Sequence, residues 1–360
     1  MKSSFKKVNF RELGILYALV ILWMILAVTT KQFRQWDTYS AILRQASFAG
    51  ICGVGMTLCI ASKHFDQSIG AMLAFLGCTF TALLTAFSDV PPQQTLGVFV
   101  KPDGINYMGI QWYGVLAAFV LILLLSVVCG LFNGLLVAKL RIPAFIATLG
   151  TLYIYRGYAY VVSGSSPVII NQIVTPEQYR FFNFLGTGTV LWLPFSFWVM
   201  IICAVAGTVV LRRTKLGRHA LAIGNSVEAS RISGIDIAWT KILIFAMLGG
   251  FVGIASILNT TFLASSNPGM VTGFEFVVIT TVVLGGTSLA GGKGSVFNSI
   301  VAAVFLVSIT VGMNALQVNA YYQKIVQGVI LLFSFSINEI RNAIENHRVK
   351  ARARREAIGP

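Results

Sequence analysis

Long apolar segments recur along the whole of this sequence, and they constrain its fold more than any other feature. A helix needs about 20 apolar residues to cross the hydrocarbon core of a bilayer. Charged residues make up only 11% of the chain, against about 25% in a soluble protein. We therefore predict an all-α polytopic membrane protein, a single domain over residues 1–360 with about ten transmembrane helices, some broken or short. The predicted segments are Leu13–Val28, Ala46–Ser62, Ile69–Phe87, Tyr113–Ala138, Ala144–Val162, Val190–Leu211, Ile242–Ala264, Phe276–Ala290, Ser295–Leu316 and Ile325–Asn338.

The distribution of lysine and arginine predicts how the chain is oriented. With ten crossings both termini lie on one side, which then holds 20 Lys and Arg residues, compared with six on the other side. Because basic residues concentrate in cytoplasmic loops, we expect a protein of the bacterial inner (cytoplasmic) membrane with both termini cytoplasmic. The basic tail, residues 341–360, is then expected to face anionic membrane lipid and not nucleic acid.

The segment Phe276–Ala290 is short for a crossing. If it dipped into the membrane and returned, the basic tail would emerge on the outer side, unless a second segment did the same. We favour a crossing, made by a broken helix.

The glycine-rich run GGTSLAGGKG, residues 285–294, resembles a phosphate-binding loop in composition only. That loop needs a Gly, four further residues, Gly-Lys and then Ser or Thr. Here Thr287 occupies the first glycine position, and Gly294 follows Lys293. The sequence also has no Ser-His-Asp arrangement and no cluster with metal-ligand spacing. We therefore predict that this chain is not an enzyme and binds no metal or cofactor, and that the glycines permit close helix approach and a tight turn.

The predicted inner loop, residues 212–241, is far longer than the roughly 2–8 residues that connect most neighbouring helices. Within it, Ser226 is placed to cap a short helix that carries Glu228 in its first turn. A short amphipathic helix outside the membrane suits a groove on a cytoplasmic partner. The alternative is that this helix lies on the lipid surface.

Four stretches of the sequence carry a resemblance to a known family, and a further one, GVGMTLCIASKHFDQSIGAMLA, carries it in part. The four are RIPAFIATLGTLYIYRG, GRHALAIGNSVEASRISGI, FEFVVITTVVLGGTSLAGGKGS and YYQKIVQGVILL. Together they resemble the permease subunits of sugar-importing ATP-binding-cassette (ABC) transporters of the ribose, xylose and galactose type, within the branched-chain amino acid/ribose permease superfamily. The sequence departs from the family pattern at Lys63 and His64, which replace two glycines before Asp66.

The resemblance implies a permease that forms the translocation path for a monosaccharide or a related small hydroxylated solute. It also implies three partners: a second permease, identical or paralogous, a cytoplasmic ABC ATPase that binds ATP-Mg, and an extracytoplasmic sugar-binding protein. The rival function is a stand-alone secondary transporter of a small polar solute, which would require a relay of charges within its spans. In the importer, residues 212–241 form the ATPase-coupling loop, with candidate residues Gly217, Arg218, Ala222, Gly224, Asn225, Glu228, Ala229 and Gly234.

Polar side chains within or beside the apolar segments are candidates for the substrate pathway, because a charge at the bilayer centre costs roughly 2.5–3.5 kcal/mol. Asp66 and Ser68 precede an apolar segment, where they either cap a helix or line the pathway at a broken helix. Glu275 has a similar setting and the same two interpretations. Arg156 is placed to pair with an acid or a carbonyl inside the bundle. Asn259 is placed to bond a hydroxylated solute or a neighbouring helix.

Overall fold

The structure, a computed structural model, describes residues 14–87 and 112–336, and most of these residues are helical. The all-α membrane class is confirmed, because in these ranges six helices (α2, α3, α4, α7, α10 and α12) are long and apolar enough to cross a membrane. The full set of ten crossings stays a prediction. The helices are α1 (Gly14–Thr29), α2 (Trp36–Ala61), α3 (Ile69–Ala86), α4 (Trp112–Ala138), α5 (Ala144–Val162), α6 (Pro176–Thr187), α7 (Phe195–Arg213), α8 (Lys215–Asn225), α9 (Val227–Ile232), α10 (Ile237–Leu263), α11 (Phe274–Leu284), α12 (Val296–Ala315) and α13 (320–336).

Short antiparallel strand pairs fasten the loops at one end of the bundle. Strand β1 (Val168–Ile169) pairs with β4 (Ser265–Ser266), and β2 (Thr189–Val190) pairs with β3 (Leu193–Pro194). Because β1 follows α5 and β4 follows α10 directly, the first pair ties the C-terminal ends of these two helices together.

The centre of the bundle is formed by α2 and α10, with α4 packed against α10. Every residue of α2 from Ala46 to Ala61 is buried, as expected for a helix that is apolar on all sides. Glycines bring α4 and α10 into backbone contact: a Cβ on Gly130 would overlap the carbonyl oxygen of Phe245, and one on Gly249 would overlap that of Ser126. Small residues at such contacts are typical of helix packing in membranes.

Within the segment Phe276–Ala290 only residues 276–284 are helical, and they belong to α11. This helix has 11 residues and is therefore about 16 Å long, roughly half of the ~30 Å hydrocarbon core. Before it, Ser266 bonds Thr81 near the C-terminal end of α3. After it, the N–H of Gly292 donates to the carbonyl of Ala61 at the C-terminal end of α2. The chain thus extends from one end of the bundle to the other with a short helix and two non-helical parts, in keeping with the broken helix expected from the sequence.

The predicted basic tail, residues 341–360, falls outside the described residues, so its attraction to lipid stays a prediction. The single-domain organisation over residues 1–360 likewise stays a prediction.

Candidate functional site

A fully buried polar cluster surrounds Asp66, which lies in the non-helical segment between α2 and α3. Its Oδ1 accepts hydrogen bonds from the backbone N–H (2.8 Å) and the hydroxyl (2.6 Å) of Ser68. Its Oδ2 accepts one from Nδ2 of Asn133 on α4 (2.9 Å), and the same Nδ2 donates to Ser68 Oγ (2.8 Å). The burial of a carboxylate is thereby compensated by three donors, as buried charged groups require.

The cluster continues to α5 through Tyr155. Its hydroxyl lies 3.2 Å from Asn133 Oδ1 and 2.9 Å from the carbonyl oxygen of Cys129, and donates to these acceptors. The backbone N–H of Gln67 also donates to the hydroxyl of Thr148 on α5 (3.1 Å). The non-helical segment is therefore held between α4 and α5 by side chains from both helices.

The capping interpretation of Asp66 and Ser68 holds only in part. Ser68 occupies the N-cap position of α3, but its side chain makes no capping bond, because its hydroxyl donates to Asp66 instead. Asp66 accepts the N–H of Ser68, immediately before the helix. Both side chains are completely buried in this conformation, so a role in the substrate pathway stays a prediction.

Glu275 lies where the first turns of α3 and α11 meet. A Cβ on Gly70 would overlap its Oε2 and would lie 2.9 Å from the carbonyl oxygen of Val271. The side chain of Glu275 is 6% exposed, and its Oε2 is buried without a hydrogen-bond partner. Both helix N-termini carry partial positive charge, and this favours a carboxylate between them. Gly273 occupies the N-cap position of α11, and no side-chain capping bond forms.

Arg156 and Asn259 have different surroundings. Arg156, on α5, donates from Nη1 to the carbonyl oxygens of Pro268 (2.6 Å) and Met270 (2.9 Å), so it pairs with carbonyls, one of the two partners expected for it. It thereby fastens α5 to the segment that leads into α11. Asn259, on α10, is 7% exposed, and its Oδ1 is buried without a partner.

One face of α5 packs against nothing in the described part of the chain. Ile146, Gly150, Tyr153 and Gly157 follow one another at intervals of four, three and four residues, and all four are exposed. A Cβ on either glycine would meet no atom within 4 Å. This spacing places the four residues in one stripe of the helix, which we call the α5 stripe.

The predicted short helix of the coupling loop is present as α9, and the predicted cap is confirmed. Ser226 Oγ accepts the N–H of Ala229 (3.2 Å), and Glu228 in the first turn pairs with Arg231 (3.2 Å). Ile232 at the end of α9 is 81% exposed. Gly234 follows with φ +77°, a conformation that suits glycine at a helix C-terminus.

The candidate coupling residues divide into an exposed group and a packed group. Asn225, Glu228 and Ala229 are exposed, as are Arg218 and Gly234, whereas Ala222 is half-buried. The packed group consists of Gly217 and Gly224, both of them buried. A Cβ on Gly217 would overlap the carbonyl oxygens of Val210 and Leu211, so this glycine allows α8 to fold back against the end of α7.

Gly224 belongs to a backbone contact between three parts of the chain. A Cβ on it would overlap the Ala61 carbonyl oxygen and the Gly292 nitrogen, two atoms that are hydrogen-bonded to each other (2.8 Å). A Cβ on Gly291 would lie 2.6 Å from Gly224 O. We call Gly224, Gly291, Gly292 and Ala61 the glycine junction. It joins the C-terminal part of α8, the end of α2 and the glycine-rich loop before α12.

His64 lies three residues beyond the glycine junction, in the same non-helical segment as Asp66. Burial lowers the pKa of His64 to about 4, and the charge of Lys241 contributes to a smaller extent. A hydrogen bond with Ser62 opposes this shift. The imidazole is therefore neutral near pH 7.

Comparison with known proteins places these features in a family. A family model described as the permease component of the branched-chain amino acid transport system matches residues 38–335. The ribose import permease protein RbsC of Escherichia coli K12 is 34% identical over 337 residues, covering 94% of this chain and 96% of the relative. The L-arabinose transport system permease protein AraH of the same strain is 33% identical over 332 residues, 92% of each chain.

A further relative is the probable ABC transporter permease protein YphD of Escherichia coli K12, which is 30% identical over 336 residues, covering 93% of this chain and 92% of the relative. No solved structure matches the chain. The family match spans most of the chain, and the identities extend over more than nine tenths of it. The chain is therefore a multi-pass membrane transport protein, and it belongs to the family of branched-chain amino acid transport system permease components.

Proposed function

We propose that this chain forms the translocation path of an ABC importer for a monosaccharide, and that ATP-Mg is hydrolysed on a separate cytoplasmic ATPase. The relatives named for ribose and L-arabinose support the solute class. The observation that carries the ATP-driven mechanism is the coupling loop: an exposed short helix, α9, stands next to a backbone junction with the centre of the bundle.

The glycine junction provides a route from the ATPase to the interior. A force on α9 acts on α8, and Gly224 of α8 abuts both Ala61 and Gly292. Ala61 is five residues before Asp66 in the chain, and Gly292 belongs to the loop that follows α11. We infer that ATP-driven movement of the coupling loop shifts the segment that carries Asp66 together with the short helix that carries Glu275.

The meeting of α3 and α11 supports a substrate pathway near these two acids. Transporters commonly bind their substrates where helices are interrupted within the membrane and half-helix N-termini point inward. Gly70 and Glu275 mark such a meeting point. Asp66 and Ser68 directly precede α3 in the chain, and Arg156 bonds the segment that leads into α11. We propose that a rearrangement during transport exposes this polar interior to the sugar hydroxyls.

The second permease is expected at the α5 stripe. Gly150 and Gly157 lie seven residues apart on the same exposed face, and small residues in this arrangement allow two helices to approach closely. Tyr153 lies between these glycines in the same stripe, and Arg156 directly precedes Gly157 in the chain. Two copies that meet along this stripe enclose a path between them.

The proposed orientation places the coupling loop and both termini in the cytoplasm of a bacterium, with the chain in the inner membrane. Arg212, Arg213 and Lys215, at the start of this loop, support it because Lys and Arg favour the cytoplasmic side. An extracytoplasmic sugar-binding protein would then dock at the opposite end, where the strand pairs β1–β4 and β2–β3 lie.

The test of the ATPase interaction is recovery of an ATPase with the affinity-tagged full chain. We expect stoichiometric recovery with the wild type and loss of recovery with Ile232→Asp, which places a charge on the exposed end of α9. The control is Leu191→Asp, at a side chain of similar exposure (76%) on the turn between β2 and β3, which should retain the ATPase. Sugar uptake by the chain alone in liposomes would instead establish the secondary transporter.

The test of the pathway uses charge-neutralising variants. Asp66→Asn and Glu275→Gln should impair sugar uptake while the complex still assembles. Asp37→Asn is the matched control, because Asp37 is exposed at the start of α2 and should leave uptake unchanged. Normal uptake in both interior variants would remove these residues from the pathway.

A further inference from the structure

A cavity of about 790 Å³ opens between the coupling loop and the membrane-spanning helices. Its size lies within the range of roughly 300–1,000 Å³ that is usual for small-molecule sites. The start of α1, the ends of α7 and α11, helix α8 and the start of α12 surround it, and α13 contributes Ser334. It is distinct from the buried cluster at Asp66, because none of the residues of that cluster lines it.

Three basic side chains from three separate elements line this cavity. Arg212 comes from the end of α7, Arg218 from α8 and Lys293 from the glycine-rich loop, and no acidic residue is among the described residues that line it. Arg218 donates one bond from Nη1 to the carbonyl of Arg213 (3.0 Å). Since a guanidinium has five N–H donors, others are available to a ligand. The charge of the cavity therefore selects an anion.

Part of the wall of this cavity is apolar and belongs to α1. Ile15 and Ala18 of α1 line it, and further along the same helix Ile21, Met24 and Val28 are between 52% and 78% exposed. In a membrane protein such a surface faces acyl chains. A ligand that fits both parts has an anionic head and an apolar tail, which a free phosphate ester lacks.

We propose that this cavity binds the headgroup of an anionic phospholipid of the cytoplasmic leaflet, with its acyl chains along α1. This inference rests on the orientation given in the proposed function, because anionic lipid interacts with basic pockets on the cytoplasmic side of membrane proteins. The bound phosphate lies against the glycine-rich loop and α8, the two elements that meet at the glycine junction. Lipid occupancy thus stabilises the part of the protein that receives the ATPase.

The site is tested by native mass spectrometry of the full-length permease, purified without any ATPase and titrated with phosphatidylglycerol. The test variant replaces Arg212, Arg218 and Lys293 with glutamine. Because each basic residue near anionic lipid contributes about 1 kcal/mol, the triple variant should bind phosphatidylglycerol about a hundredfold more weakly. The control replaces Lys139, Arg213 and Lys215 with glutamine, which removes the same net charge from residues that do not line the cavity, and it should bind nearly as the wild type does.

Two further ligands identify what the cavity recognises. Phosphatidylcholine, which has no net charge, should bind weakly to all three proteins, and glycerol 3-phosphate, which has no acyl chains, should not compete. An equal loss of phosphatidylglycerol in both triple variants would overturn the site. Competition by glycerol 3-phosphate would overturn the lipid assignment in favour of a soluble phosphate ester. Because no ATPase is present, these results are independent of the pull-down that tests the proposed function.

Discussion

Replacing Gly224 with alanine is expected to destabilise the permease, although alanine normally favours a helix. In a helix interior, alanine is more favourable than glycine by about 1 kcal/mol. At Gly224, however, the added Cβ would overlap the carbonyl oxygen of Ala61 and the nitrogen of Gly292. Both are backbone atoms, so neither can move aside by a change of rotamer. The substitution must therefore displace α8 from the glycine junction or break the bond between Ala61 and Gly292.

The magnitude follows from two costs and one opposing gain. Forcing extra volume into a packed interior costs about 1–3 kcal/mol, and a lost backbone hydrogen bond about 0.5–1.5 kcal/mol. Subtracting the helix preference for alanine leaves a net loss of roughly 1–3 kcal/mol in the free energy of unfolding. The matched control is Gly250→Ala on α10, where the Cβ would lie 3.6 Å from Val127 Cγ2, an ordinary packing distance. This control should retain or slightly raise the stability.

The fold supplies a convenient assay for this comparison. The five cysteines, Cys52, Cys59, Cys78, Cys129 and Cys203, are all free and buried, so a thiol-reactive fluorescent dye labels the protein only as the bundle opens. We expect the melting temperature to fall by several degrees with Gly224→Ala and to stay constant or rise with Gly250→Ala. If the Gly224→Ala protein melted at or above the temperature of the wild type, the packing at the glycine junction would be disproved.

Three further changes test other parts of the structure. Asn133→Leu removes a hydrogen-bond donor from Asp66, and an unpaired buried group costs about 1–3 kcal/mol, or more when it is charged. This variant should therefore lower the melting temperature further than Tyr155→Phe does. Equal effects of the two variants would contradict the cluster. Gly150→Leu should reduce self-association measured by light scattering without lowering the melting temperature, because a Cβ there meets no atom within 4 Å; unchanged self-association would exclude the α5 stripe as the dimer contact. For His64, burial lowers the pKa to about 4 in the folded protein, whereas the unfolded chain takes up the proton near pH 6.5. Folding stability should therefore fall as the pH decreases from about 6.5 towards 4, and His64→Gln should lessen this loss in melts followed by tryptophan fluorescence.

The features that the sequence predicted well are those set by neighbouring residues. Ser226 caps α9 because its hydroxyl reaches the N–H of Ala229, three residues further along the chain. Most of the apolar residues of the predicted segments that the structure describes likewise form helices, since length and hydropathy are local properties. The glycines of residues 285–294 were correctly interpreted as a close approach, but Ala61, their partner, lies more than 200 residues away and carries no signal in the sequence.

The polar interior was predicted only in part, because its bonds depend on how distant helices pack. Asp66 and Ser68 were recognised from their position beside an apolar segment, but Asn133 and Tyr155 were missed. Asn133 is a single amide in a 27-residue helix, and its position in such an apolar helix was the one available signal. For Arg156 the sequence left an acid or a carbonyl as the partner, and its partners are the backbone carbonyls of Pro268 and Met270, which no residue type identifies.

The glycine junction has a mechanical consequence for any movement that starts at α9. Contacts between side chains absorb small displacements, because their dihedral angles adjust. Gly224, Gly292 and Ala61 meet through backbone atoms, and these have no such freedom. The junction therefore behaves as a stiff joint, so that a displacement of α8 is either passed on in full to α2 and the loop before α12, or it breaks the contact altogether.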